Sequence, residues 1–555
     1  MRHSYQDINP EDIFLDSANL PGFESSRFEG RLEKPMSHSL FIILKGALVV
    51  IALILLSKLA ILSVINGAVY AEISESNRLE KTTVFASRGI ILDRNRVELA
   101  TNAIRENEND FAERLYAPIR GIAHTVGYIK YPQIDKNGFY YETKYRGQDG
   151  AELVFDDELS GINGVKLKET NVHGEITSES VVNKPKDGEE LVLSIDAKLT
   201  EVLYKAIENL AHTAGFVGGA GVIMNTRTGE ILALTSFPEY DENILTDGHN
   251  QEFITSLLQS PAKPFLNRAI GGVYTPGSIL KPIVALASLN EGIITPTKKI
   301  LSIGQISVPN PYDPAHPTIF KDWKAHGWTD MREALAVSSD TYFYSVGGGY
   351  GDQKGLGITL LDQYFKIFGL DEETGVELKG EVGGTIATPE WKAKNFGGDN
   401  WRLGDTYITV IGQYGTQMTP LNAARLVAAI ANGGKILRPS ILLGGNKFPI
   451  ERSINLRKED WKVVREGMRR SVTAGTSVGL NAPYIAAAAK TGTAEVGTKN
   501  QYVHSWSVGF FPFDNPGYAW AVVMEKGPST NSMGATSVMR QMFDWMAVYS
   551  PEYFE

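Results

Sequence analysis

The chain of 555 residues is long enough for three to four folding units at about 100–200 residues each. Apolar residues make up 43% and charged residues 21%, an ordinary globular balance; the net charge of −10 is spread along the length and gives no case for nucleic-acid binding. Cysteine is absent, which excludes a disulfide framework and a thiolate-held metal.

Residues 1–38 are polar, with scattered Pro, Ser and Gly, and read as a mostly disordered cytoplasmic tail. Residues 39–71, "SLFIILKGALVVIALILLSKLAILSVINGAVYA", carry two charges, Lys45 and Lys58, in 33 residues, and about 20 apolar residues suffice to cross a bilayer. Val69-Tyr70-Ala71 resembles a signal-peptide cleavage site. The length of the tail and of the apolar run favours an uncleaved anchor. Arg27, Arg31, Lys34 and Lys45 place the amino end inside, with a slight asymmetry against Arg78, Lys81 and Arg88. With a span centred on 46–68, Lys58 could snorkel or face a polar group of a partner membrane protein; a span that starts earlier leaves Lys45 to snorkel instead.

Residues 72–195 hold short alternating runs broken by glycine, such as "TTVFASRGIILD" and "GVKLKET", and predict a small β-rich domain. The main domain, 196–555, opens on a helix with Leu199, Val202, Leu203 and Ile207 on one face. A hairpin turning at Thr226-Arg227-Thr228-Gly229 follows, then helices at 278–290, 332–346, 358–368 and 420–433. The run "GGGYG" at 347–351 has neither P-loop nor dinucleotide spacing and reads as a helix stop. "SWSVGFFPF" and "YAWAVVMEKG" form a second hairpin, and an amphipathic helix, "SVMRQMFDWMAVY", closes the chain. Strands at both ends with helices between them predict an α+β fold.

Three clusters carry chemistry. In "VYTPGSILKPIVALASL", Pro276 and Gly277 turn into a helix that sets Ser278 and Lys281 on one face, three residues apart. A lysine held among apolar side chains loses proton affinity and could take the serine proton, while free N–H groups at the helix start could hold an oxyanion. In "VSSDTYFY", Ser338 and Asp340 open an aromatic helix; in "IAAAAKTGTAEVG", Lys490, Thr491, Gly492 and Thr493 offer a cation and hydroxyls suited to a carboxylate. Singly, each has a bland explanation: chance spacing, a helix cap at Ser338, a solvated strand end at Lys490. Together and in this order they favour catalysis.

The set resembles the Ser-x-x-Lys, Ser-Asp-Asn and Lys-Thr-Gly motifs of β-lactamases and penicillin-binding proteins. "SRGIILDRNRVELATN" resembles the pedestal motif of class B penicillin-binding proteins, with Arg96 where the family usually has glycine, and "GAELVFDDELSG" resembles their second ectodomain motif. "TRTGEILALTSFPEYDENI", "ITVIGQYGTQMTPLNAARLVAAIANGG" and "HSWSVGFFPF" resemble transpeptidase blocks, so the likeness runs from about residue 82 to 550. "KDWKAHGW", the Asp340 variant of the second motif and "WRLGDTYITVIGQ" lean towards the elongation-type branch.

The resemblance implies an antiparallel sheet flanked by helices, a β-rich pedestal and one membrane helix, on a single-pass protein of the bacterial inner membrane. It implies that Ser278 attacks the carbonyl between the terminal D-alanines of a peptidoglycan stem peptide, with Lys281 as base. The N–H groups of Ser278 and Thr493 hold the oxyanion, and Ser338, oriented by Asp340, passes a proton to the leaving amine. Lys490, Thr491 and Thr493 engage the carboxylate, with Gly492 keeping the strand open; β-lactams mimic the substrate. The roughly 120 residues before the main domain are too few for a glycosyltransferase. The resemblance therefore implies a SEDS-type membrane glycosyltransferase and elongation-complex proteins as partners, reached through Lys58 and the pedestal. A division-type enzyme, a β-lactamase or carboxypeptidase, and a scaffold or sensor that activates a glycosyltransferase are the alternatives. No cofactor is expected. Asp313, Asp322 and His326 are a poor zinc set, because Ser339 stands where some relatives have cysteine.

Overall fold

The computed structural model describes residues 38–71, 79–103, 110–136, 139–170, 176–310, 313, 315–445 and 447–554. The tail before His38, with Arg27, Arg31 and Lys34, lies outside the described residues, as does Arg78. The chain divides into two compact units, one up to Glu80 with Lys168–Glu179, the other Lys81–Leu167 with Ser180–Glu555. The first contains α1 (His38–Ala60), which continues through a π-helical turn, Ile61–Ile65. His38–Ile65 is long and apolar enough to cross a membrane.

In the second unit, a four-stranded sheet runs in the order Leu191–Val192, Ile91–Leu92, Glu98–Ala103, Glu113–Tyr116. Behind it lies a charged cluster in which the Arg88, Arg114 and Glu152 side chains have no solvent exposure. Glu152 accepts from Arg88 Nε at 2.5 Å and from Arg114 Nε at 2.7 Å, and Arg88 also pairs with Asp156 at 2.8 Å. Burial alone would raise the Glu152 carboxyl, but the two guanidiniums outweigh it and hold it below the ordinary carboxylate range. Arg96 holds φ 67 in the turn between two of these strands, and its guanidinium pairs with Glu190.

The remaining described chain builds one five-stranded sheet between two layers of helix, and three two-stranded ribbons. Helix α2 (Ala197–Ala214) starts where Asp196 caps Leu199 N–H and stops at Gly215, φ 68. It leads into β1 (Gly218–Asn225) and β2 (Ile231–Phe237), then α3 (Lys281–Asn290), α4 (Met331–Val337) and α5 (Asp340–Gly348). After α6 (Pro420–Asn432) and α7 (Lys458–Ala474) come β3 (Ala488–Val496), β4 (Tyr502–Phe511), β5 (Tyr518–Pro528) and the closing α8 (Ala535–Tyr549). The sheet order is β2-β1-β5-β4-β3, antiparallel throughout.

Both faces of this sheet are covered, so its strands are apolar on both sides. On β5, Trp520, Val522 and Met524 join Leu203 of α2 and Phe543 of α8 in one core; Ala519, Ala521 and Val523 join α3 and α6 in the other. That second core also takes in Ile91, Leu99 and Tyr116, so the pedestal strands and the sheet share buried apolar surface.

One expected helix is two. In place of 332–346, α4 ends at Val337 and α5 begins at Asp340, because Ser338 sits in the left-handed region with φ 60 and ψ 39. Ser339 then caps α5 by accepting from Tyr342 N–H.

Candidate active site

The Ser278 turn is set by backbone packing. Gly277, at φ 59, donates its N–H to Gly412 O at 2.8 Å, and a Cβ there would lie 2.7 Å from Thr493 O. Only glycine combines that conformation with so close an approach. A 3-10 turn, Gly277–Leu280, therefore precedes α3, and Trp506 Nε1 donates to Thr275 O at 3.0 Å just before it. Ser278 opens partly onto a groove of about 1030 Å³, while Lys281 lies beneath it with no exposure.

No hydrogen bond joins the Ser278 hydroxyl to Lys281, so the direct pair expected from their spacing is not formed. Lys281 Nζ donates to Asp340 Oδ1 at 2.6 Å, Ser338 O at 2.8 Å and Ser338 Oγ at 3.2 Å. Lys490, also fully buried, reaches the same hydroxyl: its Nζ is 2.8 Å from Ser338 Oγ and 2.8 Å from Thr491 O. One serine hydroxyl thus bridges two buried amines from distant segments. The left-handed Ser338 presents both its carbonyl and its hydroxyl to Lys281.

The two amines differ in surroundings. Lys281 has the Asp340 carboxylate. Among the described residues Lys490 has no ion pair, and burial drives its proton affinity well below the lysine norm, with repulsion from Lys281 adding to that and attraction to Asp340 opposing it. The cluster can therefore hold one charged and one neutral amine with a hydroxyl between them to carry a proton.

Thr491, Gly492 and Thr493 line the groove along β3, the edge strand of the sheet. Thr491 Oγ1 donates to Thr476 Oγ1 at 2.8 Å, which brings in a residue that no motif marked. A Cβ on Gly492 would meet Pro276 O at 2.6 Å and Ile279 Cγ2 at 2.8 Å. Its smallness thus serves packing against the Ser278 turn.

The zinc candidates do not converge. Asp322 accepts from Ser339 Oγ at 2.8 Å, Thr341 N–H at 2.9 Å and Ser302 Oγ at 3.2 Å, which ties α5 to the loop before it. Burial pushes its carboxyl up, but the hydrogen bonds from Thr341 N–H, Ser339 and Asp340 N–H, with the charge of Lys281, bring it below the ordinary value. His326 Nε2 lies 3.4 Å from Asp322 Oδ1, whereas Asp313 pairs with His316 at 2.9 Å. Among the described residues no three His, Asp or Glu side chains group as metal ligands.

Comparison with known proteins agrees with this geometry. Residues 219–544 match the penicillin binding protein transpeptidase domain, and residues 109–193 the penicillin-binding protein dimerisation domain. The peptidoglycan D,D-transpeptidase MrdA of Acinetobacter baumannii is 33% identical over 453 residues, a stretch that spans 76% of this chain and 64% of that relative. The penicillin-binding protein PBP2 of Helicobacter pylori, solved in complex with MreC, superposes with a TM-score of 0.69 at 25% identity, covering 84% of this chain and 99% of the other. A chain from a peptidoglycan synthase complex that coordinates polymerization and crosslinking superposes at 0.70 and 26% identity, covering 91% of this chain and 97% of its own length. The chain belongs to the penicillin-binding proteins, with a transpeptidase domain on an antiparallel sheet, the family's dimerisation domain before it, and an apolar helix at the amino end.

Proposed function

We propose that this protein is an elongation-type peptidoglycan D,D-transpeptidase that works through a Ser278 acyl-enzyme. The observation that carries the reading is the buried cluster of Lys281, Ser338, Asp340 and Lys490, joined by hydrogen bonds beneath the groove into which Ser278 opens. In this reading a proton moves from Lys281 to Ser338 Oγ as the Ser338 proton moves to Lys490. Lys281 becomes neutral and Lys490 charged, facing the terminal carboxylate of the stem peptide together with Thr491 and Thr493. Ser278 Oγ then closes on Lys281, gives up its proton and attacks the penultimate D-alanyl carbonyl. The oxyanion lies against the N–H groups of Ser278 and Thr493. Ser338 gives its proton to the departing D-alanine nitrogen and takes up the one Lys281 received from Ser278; an amine from a neighbouring stem then displaces Ser278, its proton returning to Ser278 Oγ, to form the crosslink. β-Lactams acylate the same oxygen.

Similarity to MrdA supports the elongation role. The neighbours crystallised or imaged with MreC and within a synthase complex support a SEDS-type glycosyltransferase and elongation proteins as partners. The apolar helix supports a single pass through the bacterial cytoplasmic membrane, with the catalytic domain outside. The test is reconstituted crosslinking of polymerised glycan. Ser278→Ala is expected to abolish crosslinks and penicillin binding together. Crosslinking that survives in that variant sinks the proposal, and rapid turnover of a chromogenic β-lactam points to a hydrolase instead.

A further inference from the structure

Three carboxylates line the groove: Asp322, Asp340 and Glu495. Asp322 is engaged by Ser339, Thr341 and Ser302, and Asp340 by Lys281. Glu495 is different. It is exposed, belongs to no ion pair among the described residues, and its Oε2 accepts from a neutral group, Asn500 Nδ2, at 2.7 Å. Asn500 holds φ 50 in the turn after β3, a conformation asparagine tolerates, and it lines the groove beside Glu495.

The strand sets what Glu495 can meet. β3 pairs with β4 on one side only, in a register that joins Thr493 to Ser505 and Glu495 to Val503. Backbone groups alternate along an antiparallel strand, and Thr493 O accepts from Gln413 Nε2 at 3.4 Å on the side away from β4. Thr491, Thr493 and Glu495 therefore turn their N–H and C=O groups to the open edge, and their side chains share one face. A donor peptide added to this edge, with its carboxylate near Lys490 and its reacting carbonyl at Thr493, runs antiparallel to β3. Its upstream residues pass Glu495, about 7 Å beyond Thr493 at ~3.4 Å per residue.

We propose that Glu495 is the subsite for an alkylammonium side chain upstream of the two alanines in the donor stem peptide. This rests on the transpeptidase reading. The amine concerned is the same group that, in a neighbouring strand, serves as acceptor. A long flexible side chain on the added strand reaches a carboxylate directly or diagonally across the pair. A stem whose amine is already amidated carries no charge and gains nothing there, so the subsite favours donors with a free amine.

The experiment uses full-length protein in detergent and two synthetic donor peptides that differ in one respect, a free or an N-acetylated side-chain amine. Wild type is expected to prefer the free amine, and Glu495→Gln to lose that preference, with KM for the free-amine donor rising about five- to tenfold as one charge-assisted contact is removed. Turnover of the acetylated donor and the rate of penicillin acylation are expected to stay within about twofold. Equal losses on both donors, no loss on either, a slower penicillin reaction, or an effect seen only on varying the acceptor would each overturn the proposal. Failure of wild type to form a penicillin adduct on Ser278 would instead sink the transpeptidase reading beneath it.

Discussion

Ser338 holds φ 60 and ψ 39, a backbone that costs a non-glycine residue about 1–2 kcal/mol. It keeps that conformation because its carbonyl and hydroxyl are both tied to Lys281 and the hydroxyl also to Lys490. Such outliers persist where the surroundings over-determine them. Ser338→Gly relieves the backbone while deleting the hydroxyl that bridges the two lysines. The expected outcome is stability unchanged or higher by about 1 kcal/mol in urea unfolding, with penicillin acylation slowed by about 10²–10⁴-fold. A variant that acylates at the wild-type rate would remove Ser338 from the chemistry. The motif that singles this residue out was legible, since Ser-Asp ahead of an aromatic run is a local signal. Its backbone was not, because the break between α4 and α5 is imposed by two lysines that arrive from 57 and 152 residues away.

At the scale of elements, the Ser278 turn, the Gly412 loop and β3 meet through close backbone contacts. Gly277 stands against Thr493 O, Gly412 would put a Cβ 2.0 Å from Gly277 O, and Gly492 faces Pro276 O. Gly277→Ala adds both a clash and a strained φ, and is expected to cost about 2–4 kcal/mol. Where the fold survives, the displaced serine should slow acylation at least ~tenfold, because small errors in reactive geometry weigh heavily on rate. Wild-type stability and rate in that variant would contradict this account of the packing. Helix starts around the site are fixed by short stretches: Asp196, Asp330 and Thr419 each accept an N–H from the first turn of the helix they precede. Thr476 is not readable, because its place beside Thr491 comes from α7 packing on β3, which no local pattern encodes.

At the scale of the molecule, the pedestal and the sheet share a core, and the pedestal's own interior is charged. Glu152→Gln leaves Arg114 buried without its carboxylate. Removing one partner of a buried ion cluster costs about 3–5 kcal/mol, which thermal unfolding would read directly. The carboxyl is held below its ordinary 4.5, so the unfolded chain takes up a proton first; stability from this cluster is present above that pH and is lost as pH falls through the lower folded value. An unchanged melting temperature, or an acid limb identical to wild type, would contradict it. The motif around Glu152 was visible as family likeness, but its partners were not, since Arg88 and Arg114 lie 64 and 38 residues away.

The central claim is that three distant segments converge so that one alcohol, and no other, becomes the nucleophile. Mass spectrometry of the full-length protein after incubation with a labelled penicillin tests it most directly. The account predicts a single stable adduct that maps to Ser278 and is absent from Ser278→Ala; no adduct, or an adduct on Ser338 or any other residue, would contradict it.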